Sequence, residues 1–345
     1  MRTPGRPATV SPTRSPAGPS EGMPLWFYIL AGACVLAGLA ALLARHTIRR
    51  IEQAHPPGGR FADISGTRLH YRRSGDPERP AILVLHGAAS NLEEPHMALA
   101  EAFDGEHVIW LDRPGLGWSQ RPGGTWSPRR EAELIAAFLD HLDIPAATVI
   151  GHSWGGAIAM RMAIDHPARV DGLVLLAPAL SAWIGTAAWF NPASFWPVIG
   201  PFLSRIAVPL AGRSQATSGA VSAFHPEPVP DAYLDRSALL LLLRPPVWKA
   251  NARDMAMVNS HLEDQEPAYS TVGTPAVILA GKADTVVWSH RHGGQVAARM
   301  PRGEMRWIAG AGHNLHHHHP QAVLQAVHDV RRQLRESVHS AGGAA

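Results

Sequence analysis

The sequence predicts an α/β protein with a parallel sheet covered by helices on both faces. Short apolar runs alternate along the chain with helical patterns, which is the order that βαβ units produce. Several runs, such as Ala81–Leu85, are apolar at every position, as expected of a parallel strand that is buried on both sides. A third observation is the stretch 147–164, where a β-branched run breaks at glycines and opens onto an alanine-rich helical pattern.

The elements follow in order from these patterns. A hairpin turns at Ser65-Gly66, and the next apolar runs each end in a turn-rich loop. Strands are predicted at 61–64, 69–73, 81–85, 107–111, the run from 147, 170–176, 275–280 and 305–308, and helices at 129–141, 157–164, 289–300 and 321–334. The alternation stops between about 180 and 270, so this segment is predicted to be an insertion into one domain.

The N-terminal region differs from the rest of the chain. Residues 1–24 are rich in proline and poor in apolar side chains, which predicts a disordered tail. Residues 25–44 are mostly apolar and uncharged, and a helix of this length matches a bilayer core of about 30 Å. They are predicted to form a transmembrane helix, with 45–60 as a linker. A cleaved signal peptide is the alternative, and the arginines on both sides leave the orientation open.

Composition excludes several classes of function. The chain has 345 residues, 17% of them charged, and a formal net charge of +3 without a basic patch. Nucleic acid is therefore not an expected partner. The single cysteine, Cys34, allows no intrachain disulfide and no cysteine metal site.

The motif Gly151-His-Ser-Trp-Gly155 is predicted to form a nucleophile elbow, a sharp turn that holds a serine clear of the sheet. Such a turn strains its central residue and crowds the positions two before and two after it. Gly151 and Gly155 meet that demand because they lack a side chain. Ser153 is therefore the candidate nucleophile.

Five motifs in order resemble the α/β-hydrolase fold superfamily, over roughly residues 58–338. They are His86-Gly87, Asp112-x-Pro-Gly-x-Gly-x-Ser119, Gly151-His-Ser-Trp-Gly155, Ala280-Gly-Lys-Ala-Asp284 and Gly310-Ala-Gly-His313. The resemblance implies a mostly parallel eight-stranded sheet. It also implies that the insertion, 181–270, is a helical cap between two parts of the core, 61–180 and 271–338.

The resemblance also implies a catalytic triad, because nucleophile, acid and base follow the chain in that order in this fold. Ser153 is then the nucleophile, Asp284 the orienting acid and His313 the base. The backbone N–H groups of Ala88 and Trp154 are expected to form the oxyanion hole.

Other polar residues receive structural interpretations. Asp112 is expected to fix the turn at Pro114-Gly115. The run His316–His319 is interpreted as a solvated turn, because four adjacent histidines cannot all face one ion and no acidic or cysteine ligand lies at a suitable spacing. No metal and no cofactor are expected.

The expected function is that of a membrane-anchored serine hydrolase that cleaves carboxylic esters through an acyl-enzyme. Dehalogenases and epoxide hydrolases of this fold carry aspartate at the nucleophile position, and this chain has Ser153. Cleavage of C–C bonds, amide cleavage or perhydrolysis by the same triad, and a non-catalytic binding role, remain alternatives.

The insertion bears on the substrate. It has no charged residue from Gly172 through Ser204, and aromatic side chains crowd its first third: Trp183, Trp189, Phe190, Phe195, Trp196 and Phe202. This composition favours an apolar small-molecule ester. With a membrane anchor in the same chain, it also suggests that the cap touches the bilayer. The individual substrate-binding residues are unknown from the sequence.

Overall fold

A computed structural model describes residues 23–183 and 188–342, with side chains as far as Ser337. Residues 1–22 of the predicted tail lie outside the described residues. The chain divides into two units, residues 1–41 and 42–345.

The apolar N-terminal segment is one helix, α1, from Leu25 to Ala54. It is long and apolar enough to cross a membrane, a property that a signal sequence at this position shares. The helix continues ten residues beyond the predicted span, so the first part of the expected linker, 45–60, is helical instead. The cause is packing and pairing: Ile51 joins a cluster with the cap residues Leu240 and Leu241, and Glu52 forms an ion pair with Arg244.

The core is one sheet of eight strands in the order β1-β2-β4-β3-β5-β6-β7-β8. The hairpin of β1 and β2 is antiparallel, β2 pairs antiparallel with β4, and all other neighbours are parallel. The strands are β1 Arg60–Ile64, β2 Thr67–Ser74, β3 Ala81–Leu85, β4 Val108–Leu111, β5 Ala147–His152, β6 Val170–Leu176, β7 Ala276–Gly281 and β8 Gly303–Ile308. The mostly parallel eight-stranded sheet is therefore confirmed.

Helices cover both faces of this sheet, as successive side chains of β3 show. Leu83 and Leu85 belong to one buried cluster, whereas Ile82 and Val84 belong to another. Side chains alternate between the faces of a strand, so each cluster fills one side. The helices of the core are α2 Glu93–Leu99, α3 Pro128–His141, α4 Trp154–Asp165, α11 Gln295–Arg299 and α12 Pro320–Gly342.

The insertion between β6 and β7 is helical where the structure describes it, as the resemblance implied. Its helices are α5 Phe190–Ala193, α6 Ile199–Phe202, α7 Val208–Phe224, α8 Tyr233–Arg236, α9 Pro245–Ala256 and α10 Val258–Gln265. A buried ion cluster ties this cap to the core: Asp254 of α9 pairs with Arg113 and Arg121 in the loop after β4, and both arginines also pair with Glu131 of α3.

Candidate active site

The turn at Ser153 has the geometry of a nucleophile elbow. Ser153 lies between β5 and α4 with φ 51° and ψ −119°, a conformation that costs a non-glycine residue about 1–3 kcal/mol. A Cβ added at Gly151 would lie 2.6 Å from the Gly155 carbonyl oxygen, and one at Gly155 would lie 2.3 Å from that of Leu85. Neither position has room for a side chain, so these two glycines permit the strained turn.

Asp284 and His313 come together at the ends of neighbouring strands. Asp284 follows β7 and His313 follows β8, and Asp284 Oδ2 lies 2.9 Å from His313 Nδ1. The other carboxylate oxygen, Oδ1, accepts hydrogen bonds from the backbone N–H groups of Val286 and Val287. These bonds hold the carboxylate in one orientation. When His313 Nδ1–H donates to Asp284, Nε2 carries the lone pair that a general base needs.

Ser153 lies beside this pair through its neighbour His152. The His152 ring is centred 4.9 Å from the His313 ring, and His152 Nε2 lies 3.3 Å from the His313 carbonyl oxygen. Among the described residues no hydrogen bond joins the Ser153 hydroxyl to His313. The structure therefore brings the predicted acid and base, Asp284 and His313, into contact and places the predicted nucleophile, Ser153, in a neighbouring turn.

The two predicted oxyanion donors belong to segments that adjoin Ser153. Trp154 is the first residue of α4, where a backbone N–H has no partner within the helix. Ala88 lies in the loop after β3, next to Gly87, and a Cβ at Gly87 would lie 3.1 Å from Ser153 Cβ. This loop is held by the cap, because the next N–H, that of Ala89, donates to Asn251 Oδ1 at 2.6 Å.

Asp112 is structural, as expected, but its carboxylate does not fix the turn at Pro114-Gly115, which the Leu116 N–H closes by donating to the Arg113 carbonyl oxygen. Its carboxylate accepts hydrogen bonds from the backbone N–H groups of Leu92 and Trp118 and lies 2.7 Å from His70 Nδ1. Gly117 has φ 50°, and a Cβ there would lie 2.2 Å from this carboxylate. Asp112 therefore ties the loop after β4 to the start of α2.

The interpretation of His316–His319 as a solvated turn is wrong for its first two residues. The side chains of His316 and His317 are buried, and their Nε2 atoms lie 3.0 and 2.7 Å from Glu94 Oε1. Burial alone would raise the pKa of Glu94, but the two imidazoles more than offset this and hold it well below its usual value. Glu94, on α2, is a residue that sequence reasoning missed, since its partners lie more than 200 positions away.

The same cluster is a group that could hold a metal ion. Ligand atoms of Glu94, His152 and His316 lie within 4.8 Å of one another, and two imidazoles with one carboxylate suit zinc. Burial lowers the pKa of both histidines, which keeps them neutral as metal ligands must be. Glu94 Oε1, however, already has two imidazole partners, which leaves Oε2 as the carboxylate oxygen without one.

Five of the six aromatic residues in the first third of the cap are exposed. Trp183 is half-buried and packs against His292. The others are exposed, Trp189 by 68% and Trp196 by 52%. A cavity of about 500 Å³ does lie against the acid, with Asp284, Trp288 and Trp307 in its wall.

Comparison with known proteins agrees with this architecture. A model of the alpha/beta hydrolase fold family matches residues 80–320. The chain is 38% identical over 118 residues to a dihydrolipoyllysine-residue acetyltransferase component of the acetoin cleaving system of Cupriavidus necator, which is 34% of this chain and 31% of that protein. It is 40% identical over 130 residues to a poly(3-hydroxyalkanoate) depolymerase of Ectopseudomonas oleovorans, which is 37% of this chain and 44% of that one.

The chain therefore spans less than half the length of these two relatives. A solved structure of a hydrolase from Pseudomonas aeruginosa PA01 superimposes with a TM-score of 0.62 at 24% identity, covering 80% of this chain and 99% of the other. The sheet order, the elbow and the family match over residues 80–320 lead to one conclusion: the chain belongs to the α/β-hydrolase fold family.

Proposed function

We propose that the protein is a serine hydrolase of carboxylic esters, held at a membrane by α1, in which Ser153, His313 and Asp284 form the catalytic triad. The observation that carries this proposal is the buried Asp284–His313 hydrogen bond of 2.9 Å beside a strained serine elbow. A bond between acid and base fixes the imidazole tautomer, and the elbow exposes the hydroxyl. Both are requirements of acyl transfer at serine.

In the proposed reaction His313 Nε2 takes the proton of the Ser153 hydroxyl while the oxygen attacks the ester carbonyl. The oxyanion that forms accepts hydrogen bonds from the N–H groups of Trp154 and Ala88, and one such donor is worth about 2.7–4 kcal/mol of barrier. His313 then gives its proton to the departing alcohol. Water, deprotonated by the same imidazole, attacks the carbonyl carbon of the acyl-enzyme; the bond to Ser153 Oγ breaks, His313 returns the proton to Oγ, and the carboxylic acid leaves.

The similarity to a poly(3-hydroxyalkanoate) depolymerase supports an ester substrate, since a poly(3-hydroxyalkanoate) is a polyester. An apolar substrate is consistent with α1, because a protein held at a membrane by an apolar helix meets the apolar esters that dissolve in lipid. The same triad would also serve C–C, amide or perhydrolytic chemistry. A panel of matched esters, amides and β-diketones separates these: we expect ester turnover at least tenfold above the others.

A fluorophosphonate probe tests the nucleophile. It should label the full-length protein in detergent, and Ser153→Ala should abolish the label, whereas the exposed Ser218→Ala should keep it. A wild-type protein that resists the probe and turns over no substrate would instead indicate the non-catalytic alternative.

A further inference from the structure

Exposed large apolar side chains are concentrated in two short stretches of the chain. Of the 25 that the described residues contain, twelve lie between Met23 and Leu43 and seven between Trp189 and Phe202. The first set belongs mainly to the apolar helix α1. The second lies in the cap, where a folded domain in water rarely exposes so many neighbouring apolar groups.

The most exposed members of the second stretch define what we call the cap patch. They are Trp189, Trp196, Val198 and Phe202, which are exposed by 68%, 52%, 82% and 55%. Backbone hydrogen bonds join this stretch into successive turns, including Ala193 N–H to Trp189 O, Gly200 N–H to Trp196 O and Phe202 N–H to Val198 O. Even as one straight helix, the fourteen residues from Trp189 to Phe202 would extend over only roughly 20 Å, so the exposed side chains lie close to one another.

The charge of the surrounding chain indicates what covers the patch. No aspartate or glutamate occurs from Gly172 through Pro226, whereas Arg205 and Arg213 lie in that range and are exposed. A third exposed cation, Arg253, has its guanidinium carbon 3.8 Å from the centre of the Phe195 ring. Arg213 is paired with Asp235 at 3.5 Å, whereas Arg205 and Arg253 have no acidic partner among the ion pairs of the described residues. An apolar surface with tryptophans, in a segment that carries cations and no acidic residue, complements the boundary between anionic headgroups and acyl chains.

We propose that the cap patch inserts into the headgroup and acyl boundary of an anionic lipid bilayer. The occupant of this surface is therefore lipid, and not a second copy of the chain or another protein. The apolar helix α1 agrees with this assignment, because a helix that can span a membrane would keep the protein at the surface of a bilayer. A consequence is that substrates enter the cap from the lipid phase. This consequence rests on the proposed ester hydrolysis, whereas the docking of the cap patch does not depend on it.

Depth-dependent quenching tests the docking on the full-length protein. The chain has one cysteine, Cys34 in α1, which serves as the internal reference when labelled with the environment-sensitive dye NBD. In a Cys34→Ala background, Val198→Cys reports on the cap patch and Glu133→Cys, exposed on α3, serves as the matched control. The proteins are reconstituted into vesicles of phosphatidylcholine and phosphatidylglycerol with a spin label high on the acyl chain.

We expect the label at 198 to shift to the blue and to be quenched at least threefold more than the label at 133. Quenching at 198 without quenching at Cys34 would support docking while contradicting a spanning helix. A label at 198 that stays unquenched while Cys34 is quenched would overturn the proposal. A blue shift at 198 without lipid quenching would also overturn it, since another protein surface would then cover the patch.

A charge substitution tests the consequence for substrate entry. Val198→Asp should lower the initial rate on a long-chain ester dissolved in the vesicles at least tenfold and leave hydrolysis of a soluble short-chain ester unchanged. Val221→Asp, at another exposed valine of the cap, should leave both rates unchanged. Equal loss with both variants would overturn this consequence. A wild-type protein without activity on either ester would refute the proposed function, and the quenching experiment would still decide the docking.

Discussion

Asp284 Oδ2 lies 2.9 Å from His313 Nδ1, and neither side chain is exposed by more than 6%. In such shielded surroundings a hydrogen bond to a carboxylate is strong and sets which imidazole nitrogen carries the proton. The pair therefore keeps the His313 proton on Nδ1 and leaves Nε2 with a lone pair that can accept a proton.

Asp284→Asn should lower kcat on an ester substrate by about 10³- to 10⁴-fold, because an amide can donate to Nδ1 and stabilise the wrong tautomer. The measurement is steady-state hydrolysis of a chromogenic ester by the full-length protein in detergent. Asp231→Asn changes an exposed carboxylate of the cap and should leave kcat unchanged. An Asp284→Asn variant that keeps a tenth or more of the wild-type kcat would contradict the assigned acid.

The core elements could be predicted from the sequence because their signals are local. The run Ala81–Leu85 is apolar along its whole length, and it forms β3 with those bounds. The elbow is also predictable from the sequence, because the turn leaves no room for side chains at Gly151 and Gly155 and all the residues concerned lie within five positions.

The parts that were missed depend on contacts between distant segments. Glu94 follows another glutamate in the chain, and only the fold shows that Glu93 is half-exposed beside Arg72 while Glu94 is buried against His316. The continuation of α1 to Ala54 depends likewise on cap residues near position 240. Composition alone also cannot tell an aromatic residue in a pocket wall from one in an exposed patch, as Trp196 shows.

Gly155→Ala should destabilise the protein by about 3 kcal/mol, since the new methyl would lie 2.3 Å from a backbone oxygen that cannot move aside. The midpoint of urea unfolding measures this effect. Gly273→Ala is the matched control, because nothing lies within 4 Å of the added Cβ. It should change stability by less than about 1 kcal/mol. Equal midpoints for the two variants would show that the elbow is not crowded.

Stability should fall as the pH is lowered from 7 to 5, in part through His86. Burial, followed by the charge of Arg113, lowers the pKa of His86 from 6.5 to about 4, and its Nε2 accepts the Arg113 backbone N–H. The unfolded chain therefore takes up this proton first as the pH falls. Neutral His86 contributes its full share to the free energy of unfolding above pH 6.5, and this share is lost progressively down to pH 4. The loss between pH 7 and pH 5 is about 2 kcal/mol.

His86→Gln tests this dependence, since its side-chain oxygen can still accept a hydrogen bond but does not titrate. The loss of unfolding free energy between pH 7 and pH 5 should shrink by about 2 kcal/mol relative to the wild type. His328→Gln, at a half-exposed histidine of α12, should leave the slope as it is. A slope unaffected by His86→Gln would exclude His86 as its source.

Glu94→Gln should destabilise the protein by about 2–3 kcal/mol, since it replaces two charge-assisted hydrogen bonds to His316 and His317 with weaker ones. It should also lower kcat, because these histidines belong to the segment that begins at His313. Glu93→Gln changes the neighbouring, half-exposed carboxylate and should cost less than about 1 kcal/mol.

The same pair of variants decides whether the Glu94 cluster binds zinc. Glu94 Oε2, His152 Nδ1 and His316 Nδ1 are buried without a hydrogen-bond partner among the described residues, so the cluster offers an ion three ligand atoms. A closed structural zinc site takes four ligands, and we therefore expect less than a tenth of an equivalent of zinc in the purified wild-type protein. Dialysis against a chelator should then leave both the unfolding midpoint and ester hydrolysis unchanged. One equivalent of zinc that is lost in Glu94→Gln but kept in Glu93→Gln would show instead that the two imidazoles and the carboxylate turn toward an ion, and that the ion joins α2 to the segments before Ser153 and after His313.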